Sequence, residues 1–247
     1  MSRSETFPVV VTGGSRGIGA ATVALMAGRG HPVVFSYGSD DAAAEDLVAR
    51  VSADGGQALA CKGDAADPDA IAALFDTCVQ RFGAPGGVFV NAGITGPACT
   101  LSELAPADLR RVLEVNVAGS FLTAQTALAV LPQGGAIVLM SSRAAKLGGG
   151  GEWIHYAASK GAVDTLCIGL AREAGPQGIR VNAVAPGLIE TGLHAAAGRG
   201  ERLKTAGTAV PLGRTGTPEE VARTVAWLMS DEAAYVSGTI VEISGGR

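Results

Sequence analysis

A chain of 247 residues with 47% hydrophobic and 17% charged residues can bury a sizeable core, and its 36 glycines call for many tight turns, which excludes a disordered or fibrous protein. The formal net charge of -4, with no cluster of Lys or Arg, argues against a nucleic-acid partner, and no apolar run is long enough to span a membrane. Cys61, Cys78, Cys99 and Cys167 form no CxxC pair, so buried thiols are expected rather than a zinc site or a disulfide framework; the opening MSRSETFPVVVTGG lacks the order of a signal peptide, and the expected location is cytoplasmic.

Short apolar runs at residues 8–12, 32–36, 57–61, 87–91, 136–141 and 179–184 each read as a strand buried on both faces. Between them lie helical stretches at 17–29, 41–53, 68–81, 106–131 and 156–174, several opened by Asp or Pro. A last helix at 218–229 precedes an edge strand at 239–243. This alternation predicts one α/β domain over residues 1–247: a three-layer Rossmann fold, with a seven-stranded doubly wound parallel sheet and helices on both faces. Two stretches break the rhythm. One is 147–155, with glycines at 148–151, which reads equally as a flexible connector or a functional loop; the other is 188–217, expected to be a substrate loop.

After the first strand, TGGSRGIG opens directly into a helix. Glycines there let the backbone turn sharply and approach a pyrophosphate, while the helix N-terminus offers free N–H groups and a positive dipole end. Gly13, Ser15, Arg16, Gly17, Ile18 and Gly19 are therefore candidate phosphate-turn residues. The same segment fits G-x-S-x-G, the nucleophile elbow of a hydrolase. That minority reading needs a histidine relay, and neither His155 nor His194 has a recognisable triad setting.

Further along come VNAG ending at Gly93, N-V-x-G-x-F starting at Asn116, Ser142, and YAASK from Tyr156 to Lys160. Tyr156 and Lys160 are four residues apart on a predicted helix and share one face. An unperturbed phenol titrates near ~10, and a neighbouring ammonium lowers that value, which makes Tyr156 a proton donor and acceptor.

Taken in order with TGGSRGIG, Pro186-Gly187 and the closing Gly245-Gly246, these motifs resemble the short-chain dehydrogenase/reductase family over nearly the whole chain. The resemblance implies a nicotinamide-dependent oxidoreductase acting on a small or medium carbonyl or alcohol, with no metal, assembled as a homotetramer or homodimer. Carried over, Tyr156 exchanges the proton, Ser142 bonds the substrate oxygen, Lys160 also holds the nicotinamide ribose, and Asn116 positions a relay water. Asp64 is placed at the adenine amino group, and Asn91, with Ala92 and Gly93, at the adenine-ribose side. Pro186 and Gly187 shape the nicotinamide pocket, the Ile189 backbone meets the carboxamide, and Thr191 contacts carboxamide or phosphate. Fourteen positions separate Ser142 from Tyr156, one more than in many members, which leaves Ser141 as an alternative to Ser142.

The second strand ends Phe35-Ser36-Tyr37-Gly38 without a carboxylate to repel a 2′-phosphate; Asp40 and Asp41 read as helix-start residues. Arg16, Ser36 and Tyr37 can hold that phosphate, so NADP(H) is favoured, with NAD(H) second. Substrate selection is expected at 94–100, 143–155 and 188–217, where Trp153, Ile154, Leu188, Leu193 and His194 would form an apolar wall; His155 reads as a loop residue. The GEW-x-x-YAASKGA segment resembles a glucose-dehydrogenase-like branch. A 3-oxoacyl-carrier-protein reductase is the runner-up, although residues 127–135 lack the Lys and Arg that an acidic carrier would dock against. A non-catalytic NADP(H) sensor is the alternative from another class.

Overall fold

The computed structural model describes residues 6–191 and 210–247. Strands β1 (Val9–Val11), β2 (Val33–Tyr37), β3 (Ala58–Lys62), β4 (Gly87–Val90), β5 (Ala136–Met140), β6 (Arg180–Pro186) and β7 (Ile240–Ile243) form one sheet in the order β3-β2-β1-β4-β5-β6-β7. Every pair is parallel, so all strands end at the same edge. Strand order reverses between β1 and β4, and the crevice outside that reversal is where such sheets bind ligands.

The apolar runs are continuous because both faces of the sheet are covered. Val9, Val11, Phe35 and Val138 face one way, against Met26 of α1 (Gly17–Gly28), Leu47 of α2 (Asp41–Ala53) and Val225 of the helix at Pro218–Met229. Val10, Val34, Val88 and Ile137 face the other way, against Leu74 of α3 (Pro68–Phe82) and Val163 of the long helix Ile154–Ala174. Period-two alternation on buried strands thus supplies two cores from one set of residues. Among the described residues no helix is long and apolar enough to cross a membrane.

Three features depart from the sequence reading. The single helix expected at 106–131 is α4 (Pro106–Leu113), a π-helical turn (Glu114–Ala118) and α5 (Gly119–Val130). Gly119 packs so closely on Ala65 that a Cβ there would lie 2.5 Å from its carbonyl oxygen, and the Ser120 hydroxyl donates to the Asn116 carbonyl at 2.7 Å. These contacts fix the widened turn that carries Asn116, in keeping with the association of π-bulges with functional sites.

A short helix, α6 (Ala144–Leu147), also follows β5, and the four-glycine run closes it. Gly148 ends α6 at φ +78°, and at Gly149 a Cβ would lie 2.5 Å from the Trp153 carbonyl oxygen. The run is therefore a built turn rather than a loose connector. Trp153, buried beneath it, donates its main-chain N–H to the Gly149 carbonyl at 2.8 Å. Finally, α7 (Ile154–Ala174) starts two residues earlier than expected, so His155 is helical and buried.

The helix Pro218–Met229, α8, begins with a full capping box: the Thr217 hydroxyl accepts the Glu220 N–H at 3.4 Å, and the Glu220 carboxylate accepts the Thr217 N–H at 2.9 Å. Thr217→Ala is expected to lower stability by about 1 kcal/mol. Urea unfolding should show a lower midpoint at unchanged slope; an unchanged midpoint would contradict the role given to this cap.

Candidate active site

The glycine turn is tied to its surroundings by hydrogen bonds that the motif alone does not reveal. Thr12, continuing β1, is buried, and its hydroxyl accepts the N–H groups of Asn91 at 2.9 Å and Ala92 at 3.1 Å. Asn91 returns the contact, its Nδ2 donating to the carbonyls of Thr12 at 2.9 Å and Gly13 at 2.8 Å. Ser36 lies beneath the turn: its Oγ accepts the Gly13 N–H at 3.2 Å and its carbonyl accepts that of Gly14 at 2.8 Å. A Cβ on Gly19 would stand 2.3 Å from the Gly13 oxygen and 2.7 Å from Asn91 Nδ2, so the turn closes only without side chains.

No side chain caps α1: Arg16 occupies the cap position in extended conformation without a cap bond. The first N–H groups of α1 thus lie at the open mouth of the turn, at the positive end of the helix dipole. Arg16 is exposed and has no ion-pair partner among the described residues, while Ser15 and Ile18 are half-buried. Ser15 has no hydrogen-bond partner among the described residues, so the hydrolase elbow lacks its relay there. His155 lies elsewhere, with Gly96 packed so close that a Cβ would be 3.0 Å from its Nε2; His194 is outside the described residues.

At the end of β2 the Tyr37 hydroxyl donates to Asp41 Oδ1 at 2.9 Å, and Lys62, opposite Tyr37 in the parallel register, pairs with Asp41 Oδ2 at 2.8 Å. Asp40 is a helix-start residue as expected, accepting the Ala43 N–H at 3.1 Å. Asp41 is more than that. A carboxylate does stand beside Tyr37, held below its ordinary range by the Lys62 ammonium and then by Tyr37. Asp64 accepts the Ala66 N–H at 2.9 Å and pairs with Arg111 at 2.5 Å; partial burial works against ionisation, yet these two contacts keep its carboxyl below the usual range.

Tyr156 and Lys160 come together on one face of α7, with Lys160 Nζ 5.7 Å from the centre of the Tyr156 ring. Lys160 is only 2% exposed and donates to the Met140 carbonyl at 2.7 Å. Ser142 Oγ accepts the Ala144 N–H at 3.1 Å and stands beside the Tyr156 phenol, whose ionisation it favours, whereas Ser141 turns away to donate to Asp164 Oδ1 at 2.5 Å. The geometry therefore brings Ser142, not Ser141, to Tyr156. Burial pushes the Tyr156 phenol up, with Ser142 opposing; burial pushes the Lys160 ammonium down to about 8, with the charge of Asp164 opposing.

Asn116 is fully buried and its side chain fully used: Oδ1 accepts the Ile94 N–H at 2.8 Å, and Nδ2 donates to the Ile94 carbonyl at 2.8 Å and to Ser159 Oγ at 2.9 Å. Gly93 fills the gap beside it, where a Cβ would lie 3.2 Å from Asn116 Oδ1 and 3.3 Å from Lys160 Nζ. Across the crevice, Pro186 ends β6 and accepts the Arg143 N–H at 3.0 Å, Gly187 donates to Ile243 at 2.9 Å, Ile189 is buried, and the Thr191 methyl lies over Gly17. Of the expected apolar wall, Leu188 and Trp153 are buried, Ile154 is exposed, and Leu193 and His194 are outside the described residues. The sequence reading missed Thr12, Lys62, Arg111, Ser159 and Asp164. Spacing gave a signal only for Asp164, four residues after Lys160 on the same helix face.

A model of the family described as enoyl-(acyl carrier protein) reductase matches residues 13–247. The uncharacterized oxidoreductase YgfF of Escherichia coli is 41% identical over 244 residues, covering 96% of this chain and 98% of that protein. A versicolorin reductase of Emericella nidulans is 38% identical over 262 residues, covering 100% and 99%. The crystal structure of a short chain dehydrogenase from Burkholderia cenocepacia in complex with NADP matches with a TM-score of 0.90 at 35% identity, covering 96% of each chain.

Two glycines of α1 give a matched test of the turn. Gly19→Ala forces a Cβ into the Gly13 carbonyl, and overpacking of this kind costs roughly 1–3 kcal/mol. A Cβ on Gly28 meets nothing within 4 Å, so Gly28→Ala is expected to be neutral or to gain up to about 1 kcal/mol. Urea midpoints for the two variants should move in these directions; equal effects would deny the close approach at Gly19.

Proposed function

The chain belongs to the short-chain dehydrogenase/reductase family, and on that premise we propose that it is an NADP(H)-dependent oxidoreductase in which Ser142, Tyr156 and Lys160 act on a small or medium carbonyl or alcohol. The observation that carries this reading is the buried Lys160 ammonium 5.7 Å from the centre of the Tyr156 ring, with Ser142 on the phenol side.

The cradle fits a dinucleotide. Its glycines leave no room for side chains of their own, and the N–H groups of α1 are left for an anion. Gly13, Ser15, Arg16, Gly17, Ile18 and Gly19 would hold the pyrophosphate. Ser36, Tyr37, Asp64, Asn91, Ala92 and Gly93 would line the adenosine side, and Pro186, Gly187, Ile189 and Thr191 the nicotinamide. Bound there, the nicotinamide gives or takes the hydride.

In the reducing direction, Tyr156 gives its proton to the oxygen that becomes negative as the carbonyl carbon is reduced, and Ser142 donates a hydrogen bond to the same oxygen. Lys160 stabilises the phenolate left behind. Reprotonation requires a path to solvent. With its side-chain amide engaged on Ile94 and Ser159, Asn116 has only its main-chain carbonyl to offer a relay water, and Ser120 already uses one side of that oxygen.

Support for the phosphorylated cofactor comes from exposed Arg16, from the Lys62 ammonium that offsets Asp41, and from the NADP bound to the Burkholderia relative. Carrier-protein thioesters are the second substrate class, favoured by the description of the matching family. Exposed Leu109, Leu113 and Phe121 on α4 and α5 support assembly into a dimer or tetramer.

Tyr156→Phe is expected to lower kcat by about 100-fold or more while leaving the NADPH dissociation constant nearly unchanged, since the proton donor is lost and the cradle is not. Surviving turnover would sink the assignment. Arg16→Ala should weaken NADPH by about tenfold or more and NADH far less, because it removes a charged hydrogen bond to the 2′-phosphate. Equal weakening of both cofactors counts against NADP(H). Turnover of simple diketones, sugars and acetoacetyl thioesters with NADPH discriminates the substrate classes.

A further inference from the structure

Lys160 holds its charge in an awkward place. It is almost wholly buried, and its ammonium bonds a neutral carbonyl, that of Met140, rather than a carboxylate. One turn further along α7 stands Asp164, four residues on and therefore on the same helix face. Its carboxylate accepts the Ser141 hydroxyl at 2.5 Å.

Ser141 is the middle residue of a working triplet at the end of β5. Met140 before it supplies the carbonyl that Lys160 bonds, and Ser142 after it supplies the hydroxyl that meets Tyr156. The Ser141 main chain is tied to Val184 of β6, and its hydroxyl reaches α7 at Asp164 and, at 3.5 Å, the Lys160 carbonyl; of these the short bond to Asp164 sets how the two neighbours meet α7. Resting on the Ser-Tyr-Lys reading above, we propose that Asp164 is a positioning residue of this active site: through Ser141 it fixes the end of β5, and its charge is the counter-ion, one helical turn away, of the buried Lys160 ammonium.

Several other groups face this pair. Lys146 of α6 and Glu242 of β7 both act on Asp164, with opposite signs. Glu242 is itself engaged by Lys146 at 2.6 Å and Arg143 at 2.5 Å, which offsets its charge. Cys167 lies on the same helix, its thiol pushed up to about 12 by burial, so it stays neutral. Facing Lys160 itself are the Tyr156 phenol and the uncharged Asn116 and Gly93. Burial already brings Lys160 down to about 8, and Asp164 works in the opposite direction. Removing the carboxylate charge must lower the Lys160 value further, so the ammonium is lost at lower pH.

Asp164→Asn keeps an acceptor for the Ser141 hydroxyl and removes only the charge; Ser141→Ala keeps the charge and removes only the bond. The chain has just four lysines, Lys62, Lys146, Lys160 and Lys204, so the Lys160 Cε resonance can be followed against pH by NMR in the cofactor-free protein and assigned with Lys160→Arg. In Asp164→Asn that titration is expected to move down by about 0.5–1 pH unit, and the alkaline limb of NADPH-dependent turnover should move with it. Asp164→Glu should restore both. In Ser141→Ala the titration should stay near the wild-type value while kcat falls about threefold to tenfold.

An unmoved Lys160 titration in Asp164→Asn, or full kcat in Ser141→Ala, overturns the proposal. Should Asp164→Asn fail to fold, the comparison of Asp164→Glu with Ser141→Ala still decides: an altered titration in the former, or full activity in the latter, refutes it. Turnover by Tyr156→Phe would instead remove the underlying reading, so the two failures are separable.

Discussion

Two backbone N–H groups, those of Asn91 and Ala92, converge on the hydroxyl of Thr12, and this contact joins the ends of the two strands between which the sheet reverses. Without it β1 and β4 would still pair, but the chain leaving each strand would be free to diverge. With it, the glycine turn on one side and the loop beginning at Asn91 on the other form the two walls of one crevice. Asn91 completes the link by spending its side-chain N–H groups on the carbonyls of Thr12 and Gly13. The absence of side chains at Gly19 and Gly93 is then a requirement of the walls' closeness. A Cβ at Gly19 would strike one wall, and a Cβ at Gly93 would crowd Asn116 and Lys160.

The chemistry of the crevice follows from how little water reaches it. Burying an ammonium costs several kcal/mol even after relaxation. Here that cost shows as a Lys160 brought down to about 8, while the same desolvation raises its neighbour Tyr156. Burial pulls each group toward its neutral form, and each is opposed by a specific contact: Asp164 for Lys160 and Ser142 for Tyr156. The shifts therefore run in opposite directions: the phenol is held in its protonated form, ready to donate, while the amine is brought closer to neutrality. Asn116 contributes stiffness. With every side-chain hydrogen-bonding group engaged, it locks the π turn, α7 and the Ile94 loop together.

Much of this was legible from the sequence, because parallel strands buried on both faces leave unbroken apolar runs and because a backbone turn that excludes side chains must be written in glycine. The succession of strands and helices along the chain, the turn from Gly13 to Gly19 and the Tyr156 and Lys160 pair all follow from such local signals. What stayed hidden depends on partners distant in sequence. The π turn around Asn116 is invisible in a continuous helical pattern, since it is held by Gly119 packing on Ala65. The charge balance at Asp41 is set by β2–β3 register, which places Lys62 opposite Tyr37. The choice between Ser141 and Ser142 could not come from spacing to Tyr156. The two hydroxyls diverge, one to α7's Asp164 and the other to Tyr156, and only the packed helix shows which goes where. His155 read as a loop residue because the helix was started at Tyr156, two residues late.

The glycine turn between α6 and α7 has a consequence for how this scaffold can be altered. The end of β5 is held to α7 by the Ser141 and Asp164 bond, and α7 is held by its own packing on the sheet, so both ends of the segment from Ala144 to Trp153 are anchored independently of its length. Gly148 and Gly149 absorb the path between them in left-handed conformations. That segment is a hem with a fixed stitch and a free one: a Cβ on Gly149 would strike the Trp153 carbonyl, whereas one on Gly150 meets nothing, so side chains can enter beside the approach to Tyr156 only at the free stitch, while the distance between the two anchored ends stays set by the sheet.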